Sequence, residues 1–149
     1  MKVRHALAVA ALSVLVAPGA MAQNQYQQQI INQISRLSPM MSQRGWTPVG
    51  TPTTGSLNDD AEESILVTLN SGQHYMIAGV CDNDCDDVDL QVFSSDGTKL
   101  GEDMLTDDQP RVEFNASYSG QYRVKVLMAN CKTNPCYYGV QVYQTGGGK

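Results

Sequence analysis

The chain has 149 residues, of which 42% are hydrophobic and 17% are charged, with four cysteines and a formal net charge of −5. This length suits one domain with a short appendage. The acidic balance argues against binding to nucleic acid or to an anionic membrane, because both partners require a basic surface. Two histidines and one tryptophan leave little material for histidine-based catalysis or a zinc site, so we expect no enzymatic activity.

The first 22 residues have the composition of a secretory signal peptide. Lys2 and Arg4 form a positive start, residues 6–16 form an apolar run, and a small-x-small pattern ends at Ala22. The run is shorter than the roughly 20 residues of a membrane-spanning helix, so we expect no membrane span. These features predict cleavage after Ala22 and export to the periplasm or the exterior, where disulfides are stable.

Residues 23–45 are predicted to form the one helix. Five apolar residues recur at spacings of three and four: Tyr26, Ile30, Ile34, Leu37 and Met41. Gly45 is a typical helix stop, whereas Pro39 predicts a kink or an earlier end. We expect the apolar stripe to pack on the domain. The alternative is that residues 26–41 form a homo-oligomer or dock a partner protein.

The rest of the chain has the pattern of an all-β domain. Residues 46–61 are rich in Thr, Pro and Gly and predict a linker or an irregular edge strand. Short strands with turn signals follow, at 65–69, 75–80, 88–93, 111–115, 121–128 and 137–143. We therefore predict an antiparallel, jelly-roll-like β-sandwich over 62–143 with one N-terminal amphipathic helix, and a disordered tail over 144–149.

Two segments carry a family resemblance. Residues 81–90 read Cys-Asp-Asn-Asp-Cys-Asp-Asp-Val-Asp-Leu, and residues 119–126 read Ser-Gly-Gln-Tyr-Arg-Val-Lys-Val. With the Asp-Gly hairpin between them, their order resembles the bacterial pre-peptidase C-terminal domain over residues 57–143. That resemblance implies a non-catalytic β-sandwich module of the kind attached to secreted proteases. It also implies kinship with calcium-stabilised collagen-binding domains.

The four cysteines predict disulfides and not a metal or redox centre. Their CxxxC and CxxxxC spacings differ from the CxxC of zinc knuckles and thioredoxin-like sites. We favour the local pairs Cys81–Cys85 and Cys131–Cys136, formed by proximity at strand ends. A Cys81–Cys131 crosslink would stabilise more, by about 4 kcal/mol against about 2 for a local loop. Because both loops are expected at one end of the sandwich, this crossed pairing stays open.

An acidic cluster is the strongest candidate for a metal site. It places five carboxylates within eight residues: Asp82, Asp84, Asp86, Asp87 and Asp89. Such carboxylates repel one another unless they are solvated, protonated or neutralised, and Ca²⁺ accepts six to eight oxygen ligands. The cluster is not an EF-hand, because Asp87 replaces the glycine and Phe93 replaces the glutamate of that loop. The alternative to calcium is a solvated loop in which Asp87 or Asp89 caps backbone donors.

The late tyrosines are candidates for ligand contact. Tyr137 and Tyr138 must face opposite sides of a strand, so we expect one of them to be an exposed aromatic contacting a protein or carbohydrate. Together these features predict an exported binding module, with calcium as a candidate stabilising ion. Two alternatives are an assembly protein that uses the helix and an inhibitor of a periplasmic hydrolase that uses the acidic loop.

Overall fold

The computed structural model of the protein describes residues 18–145, with side chains from residue 25 onward. Residues 1–17 of the expected signal peptide and 146–149 of the expected tail lie outside the described residues. The described part begins with one helix, α1 (Pro18–Gln43), and continues with eight strands. These are β1 (Trp46–Leu57), β2 (Glu62–Leu69), β3 (His74–Cys81), β4 (Cys85–Phe93), β5 (Lys99–Asp103), β6 (Arg111–Asn115), β7 (Gly120–Cys131) and β8 (Cys136–Thr145). No helix in this range is both long and apolar enough to cross a membrane.

The strands form two four-stranded antiparallel sheets. One sheet has the order β1-β8-β3-β6 and the other has the order β2-β7-β4-β5. This is the eight-stranded jelly-roll arrangement, in which consecutive strands lie in opposite sheets except for β4 and β5, which are neighbours in one sheet. The antiparallel β-sandwich with one helix predicted from the sequence is therefore confirmed.

Element bounds differ from the predictions at several places. β1 pairs along β8 with an irregularity between Val49 and Thr53, so of the two predicted alternatives for this segment the irregular edge strand is confirmed and the linker was wrong. β5 was absent from the predicted strands and forms a hairpin with β4. β8 continues through Thr145, so residues 144 and 145 are strand and not tail. α1 starts at Pro18, inside the segment expected to be the signal peptide.

The first hydrophobic core lies between the two sheets. Strand β7 shows why it forms, because Tyr122, Val124, Val126 and Met128 alternate with more exposed residues and are all fully buried. Period-two alternation places such residues on one face of a strand. The facing sheet supplies further buried side chains, including Ile77 of β3.

A second core lies between α1 and the outer face of the β1-β8-β3-β6 sheet. Four stripe residues are buried there: Ile30, Ile34, Leu37 and Met41. They pack on β3 and β8 side chains, namely Met76, Ala78, Val80, Tyr137 and Tyr143. Gly139 makes this approach possible, because a Cβ there would overlap Ile30 Cγ2 and lie 2.7 Å from Ile34 Cδ1. The stripe thus packs on the chain's own sheet and presents no free apolar face to a second copy.

The helix passes through Pro39 and ends near the predicted glycine. Pro39 lies inside α1, which continues to Gln43, so the prediction of an early end was wrong. Gly45 adopts a φ of 86°, a left-handed conformation that glycine adopts without strain. The Arg44 N–H donates to the Met41 carbonyl at 3.0 Å and closes the last turn. The buried stripe on both sides of Pro39 explains why the helix tolerates it.

Candidate functional site

Both disulfide loops lie at one end of the sandwich. The pairs are Cys81–Cys85 and Cys131–Cys136, the local pairs that the sequence favoured. The Lys132 N–H donates to the Asp84 carbonyl at 2.8 Å, which joins the second loop to the first. Each loop connects the ends of two strands, so the disulfides hold this end of the sandwich in a defined conformation.

Asp82 is a structural residue of the first loop. Its side chain is 2% exposed, its Oδ2 accepts the Tyr137 N–H at 2.8 Å, and its Oδ1 accepts the Asp84 N–H at 3.2 Å. Burial raises the pKa of Asp82, and the backbone donors partly offset that rise. Both carboxylate oxygens are therefore used to hold the loop against β8.

The five clustered aspartates do not converge on one point. Asp84 lies beside the Tyr26 hydroxyl and raises the pKa of Tyr26. Asp86 forms an exposed ion pair of 2.5 Å with Lys132. Among residues 25–145, no group of three or more carboxylate, imidazole or thiol side chains is arranged to hold a metal ion. The five-carboxylate metal site expected from the sequence is thus divided into separate environments.

Asp87 and Asp89 differ from the rest of the cluster in the hydrogen bonding of their carboxylates. Within the described residues, Oδ1 of each is buried without a hydrogen-bond partner. Asp89 is 5% exposed, and burial together with the nearby carboxylates of Asp87, Asp103, Asp107 and Glu102 raises its pKa to about 6. Burial also raises the pKa of Asp87. Carboxylate oxygens without donors, on two residues separated by one position in the sequence, suit a cation, although they supply only two of the six to eight ligands that Ca²⁺ takes.

A polar cleft of about 840 Å³ lies between α1 and the first disulfide loop. Half of its twelve lining residues carry side-chain amides: Gln25, Gln28, Gln29, Asn32, Gln33 and Asn83. The Gln33 amide donates to the Cys81 carbonyl at 2.8 Å, and the Gln28 amide donates to Asn32 Oδ1 at 3.2 Å. The helix and the loop are thus connected directly, and the cleft between them has two fixed walls.

The charged residues of the cleft are mostly acidic. Asp82, Asp86 and Asp108 line it together with a single cation, Arg36. In the part of the chain that the structure describes, neither Arg36 nor Asp108 forms an ion pair. A ligand could therefore reach both charges and the amides without breaking an existing salt bridge.

Tyr137 and Tyr138 face opposite sides of β8, but neither is exposed. Tyr137 lies under α1 with its ring stacked on Tyr26, at 5.7 Å between centroids and 7° between planes. Tyr138 points into the sandwich core, and its hydroxyl donates to Glu63. The expectation of an exposed aromatic was wrong, because the helix covers the outer face of this sheet. Tyr26 is half-buried and is the aromatic of this region nearest to solvent.

The cleft-lining residues that sequence reasoning missed are the amides of α1. Their signal was present in the Gln/Asn-rich composition of the helical segment around its apolar stripe. Comparisons with known proteins add no assignment: no family model matches the chain, and no curated protein matches it significantly. The case for a function therefore rests on the cleft and on the Asp87–Asp89 pair.

Proposed function

We propose that the protein is an exported, non-catalytic β-sandwich module of pre-peptidase C-terminal type that binds a ligand in the cleft between α1 and the first disulfide loop. The cleft is the observation that carries this proposal. Its volume of about 840 Å³ lies in the range of about 300–1,000 Å³ typical of ligand pockets. The signal-like N-terminal sequence and the two disulfides support a location in the periplasm or outside the cell.

The walls of the cleft support binding without catalysis. α1 is held by its buried stripe, and the loop is held by its disulfide, so the site is pre-organised. None of the lining residues is a serine, threonine, histidine or free thiol. His74 is not among the lining residues, and its ring nitrogens contact Asn115 Oδ1 and Glu113 Oε2 at 3.0 and 3.3 Å.

The lining favours a carbohydrate over a protein as the ligand. Side-chain amides donate and accept hydrogen bonds at the same time, as sugar hydroxyls do. A protein partner generally contributes apolar or aromatic anchors that fill apolar pockets. This cleft offers few apolar side chains to such an anchor, since its two cysteines are the main non-polar residues that line it.

Titration with soluble oligosaccharides tests the proposal. Fragments of glucan, mannan and chitin are screened for binding by calorimetry and by amide NMR shifts. We expect a subset of them to bind and to shift the amide signals of α1 and of the first disulfide loop. Gln29→Trp fills the cleft and should abolish binding, whereas Gln27→Trp, an exposed helix residue outside the lining, should not. Perturbation by a peptide panel and by no glycan would overturn the carbohydrate assignment in favour of a protein ligand.

We also propose that a calcium ion between Asp87 and Asp89 stabilises the module. The two unpartnered oxygens support this, and backbone carbonyls and water would complete the ligand set. Calcium at 100 times its dissociation constant should stabilise by about 2.7 kcal/mol and shift the melting midpoint by several degrees. Asp89→Asn should abolish the shift and Asp86→Asn should retain it. Superimposed melting curves in calcium and in EDTA would contradict a calcium site.

A further inference from the structure

The charged residues that line the cleft restrict the class of ligand further than its volume and its amides do. Three carboxylates and one guanidinium line it, and Lys132 pairs with one of the carboxylates, Asp86, so a formal excess of one negative charge remains. We infer that the cleft selects a glycan carrying free ammonium groups, an oligosaccharide of amino sugars, over neutral and acidic glycans. This inference rests on the proposed function, because it specifies the ligand of that same site.

Asp108 is the carboxylate that can meet an ammonium group. Asp82 already accepts two backbone N–H groups, and Asp86 is paired with Lys132. Asp108 is exposed and forms no ion pair among the described residues. Its loop is held in place next to it, since the Asp107 carbonyl accepts the Val88 N–H at 3.1 Å and Asp107 Oδ1 accepts the Gln109 N–H at 2.9 Å. The backbone next to Asp108 is therefore held, and its exposed carboxylate is open to a ligand.

An amino sugar matches both kinds of group in the cleft. Its ammonium has three donors, which fit a carboxylate and amide oxygens, and its hydroxyls fit the α1 amides. Hydrogen bonds between charged partners are roughly twice as strong as neutral ones. An acidic glycan would instead be repelled by Asp108, and a neutral one would donate hydrogen bonds to it without the attraction between opposite charges.

Arg36 and Asp108 should affect the affinity for a cationic glycan in opposite directions. Arg36 is the one cation among the lining residues and it opposes an incoming ammonium. Removing its charge should strengthen binding of a cationic glycan, while removing the Asp108 charge should weaken it. A purely steric or structural role for these residues predicts loss in both variants.

The experiment compares glycans of equal length that differ in charge. Binding of chitosan, chitin and galacturonate oligosaccharides is measured by calorimetry near pH 5.5, where the chitosan amines are protonated. We expect chitosan to bind about tenfold tighter than chitin, with the advantage falling as salt rises. Asp108→Asn should remove most of this advantage, Arg36→Gln should increase it, and Glu113→Gln, an acid outside the cleft, should not alter it.

Each other outcome overturns a defined statement. Equal binding of chitin and chitosan, or tightest binding of galacturonate, overturns the charge inference and leaves the proposed function intact. Binding of none of these glycans, together with failure of the wider glycan screen, overturns the proposed function itself. A lysine-rich peptide that binds tighter than chitosan and loses affinity in Asp108→Asn would replace the glycan with a basic protein segment.

Discussion

Replacing Asp89 by asparagine is expected to stabilise the metal-free protein at neutral pH. Burial and the surrounding carboxylates raise the pKa of Asp89 from 3.8 to about 6. Each unit of pKa difference corresponds to about 1.36 kcal/mol, so ionised Asp89 costs the folded state at most about 3 kcal/mol. Asparagine keeps the shape of the side chain and removes its charge.

The sign of the pH dependence follows from the raised pKa. In the unfolded chain Asp89 ionises above its ordinary pKa of 3.8, whereas in the folded chain it ionises only above about 6. The folded state is therefore penalised fully above that folded pKa, partially between the two values, and not at all below 3.8. The advantage of Asp89→Asn should be greatest at neutral pH and should disappear as the pH falls through this window.

Urea unfolding in EDTA at pH 7.5 and pH 4 measures this difference. We expect Asp89→Asn to raise the free energy of unfolding by up to about 3 kcal/mol at the higher pH and by little at the lower. Glu113→Gln is a matched control, since Glu113 is exposed and such surface pairs contribute less than about 1 kcal/mol. An equal effect at both pH values, or destabilisation at pH 7.5 in EDTA, would refute the reasoning. Added calcium at 100 times its dissociation constant should offset most of this difference, because only the wild-type protein gains the resulting stabilisation of about 2.7 kcal/mol.

Three further predictions concern the helix and the disulfide end. Ile30→Ala should destabilise by about 2–4 kcal/mol in urea unfolding, whereas Ile31→Ala, at a side chain 47% exposed, should change stability by less than about 0.5. Gly139→Ala should cost about 1–3 kcal/mol by forcing α1 off the sheet, and combining it with Ile30→Ala should cost less than the sum because the overlap is relieved. Replacing Cys131 and Cys136 by serine should lower stability by about 2 kcal/mol in oxidised protein, and equal midpoints would argue against this bond.

The parts of the fold that were predictable are those controlled by local hydrophobic pattern. Alternation along β7 and the i, i+3, i+4 stripe of α1 each specify one buried face, and both faces are buried in the structure. Strand β5 escaped prediction because Lys99–Asp103 is short, polar and only partly buried. Its signal was indirect, since the turn at residues 95–97 requires a partner strand on its far side.

The acidic cluster shows the limit of spacing as a guide to chemistry. Five aspartates in eight residues suggest a common site, but those eight residues include one cysteine of a disulfide, the start of β4 and two register shifts. Asp82 is therefore directed to β8, Asp86 to Lys132 and Asp89 into a crowded acidic environment. Local spacing specifies which side chains share a face only where the backbone is regular.

The cleft depends on contacts that no local pattern contains. The amphipathic stripe predicts that α1 packs on an apolar surface. It does not specify whether that surface is a face of one of the two sheets or a second copy of the chain. Only the choice of the β3–β8 face brings Gln33 within 2.8 Å of the Cys81 carbonyl and converts the polar side of the helix into one wall of the cleft. The packing of α1 on this face also buries Tyr137. The same contact therefore removes the aromatic side chain expected to be exposed and forms the amide-lined wall of the cleft. A helix that contributes both the packing and the recognition residues should lose ligand binding and stability together when its buried stripe is disrupted, and binding alone when its amides are replaced.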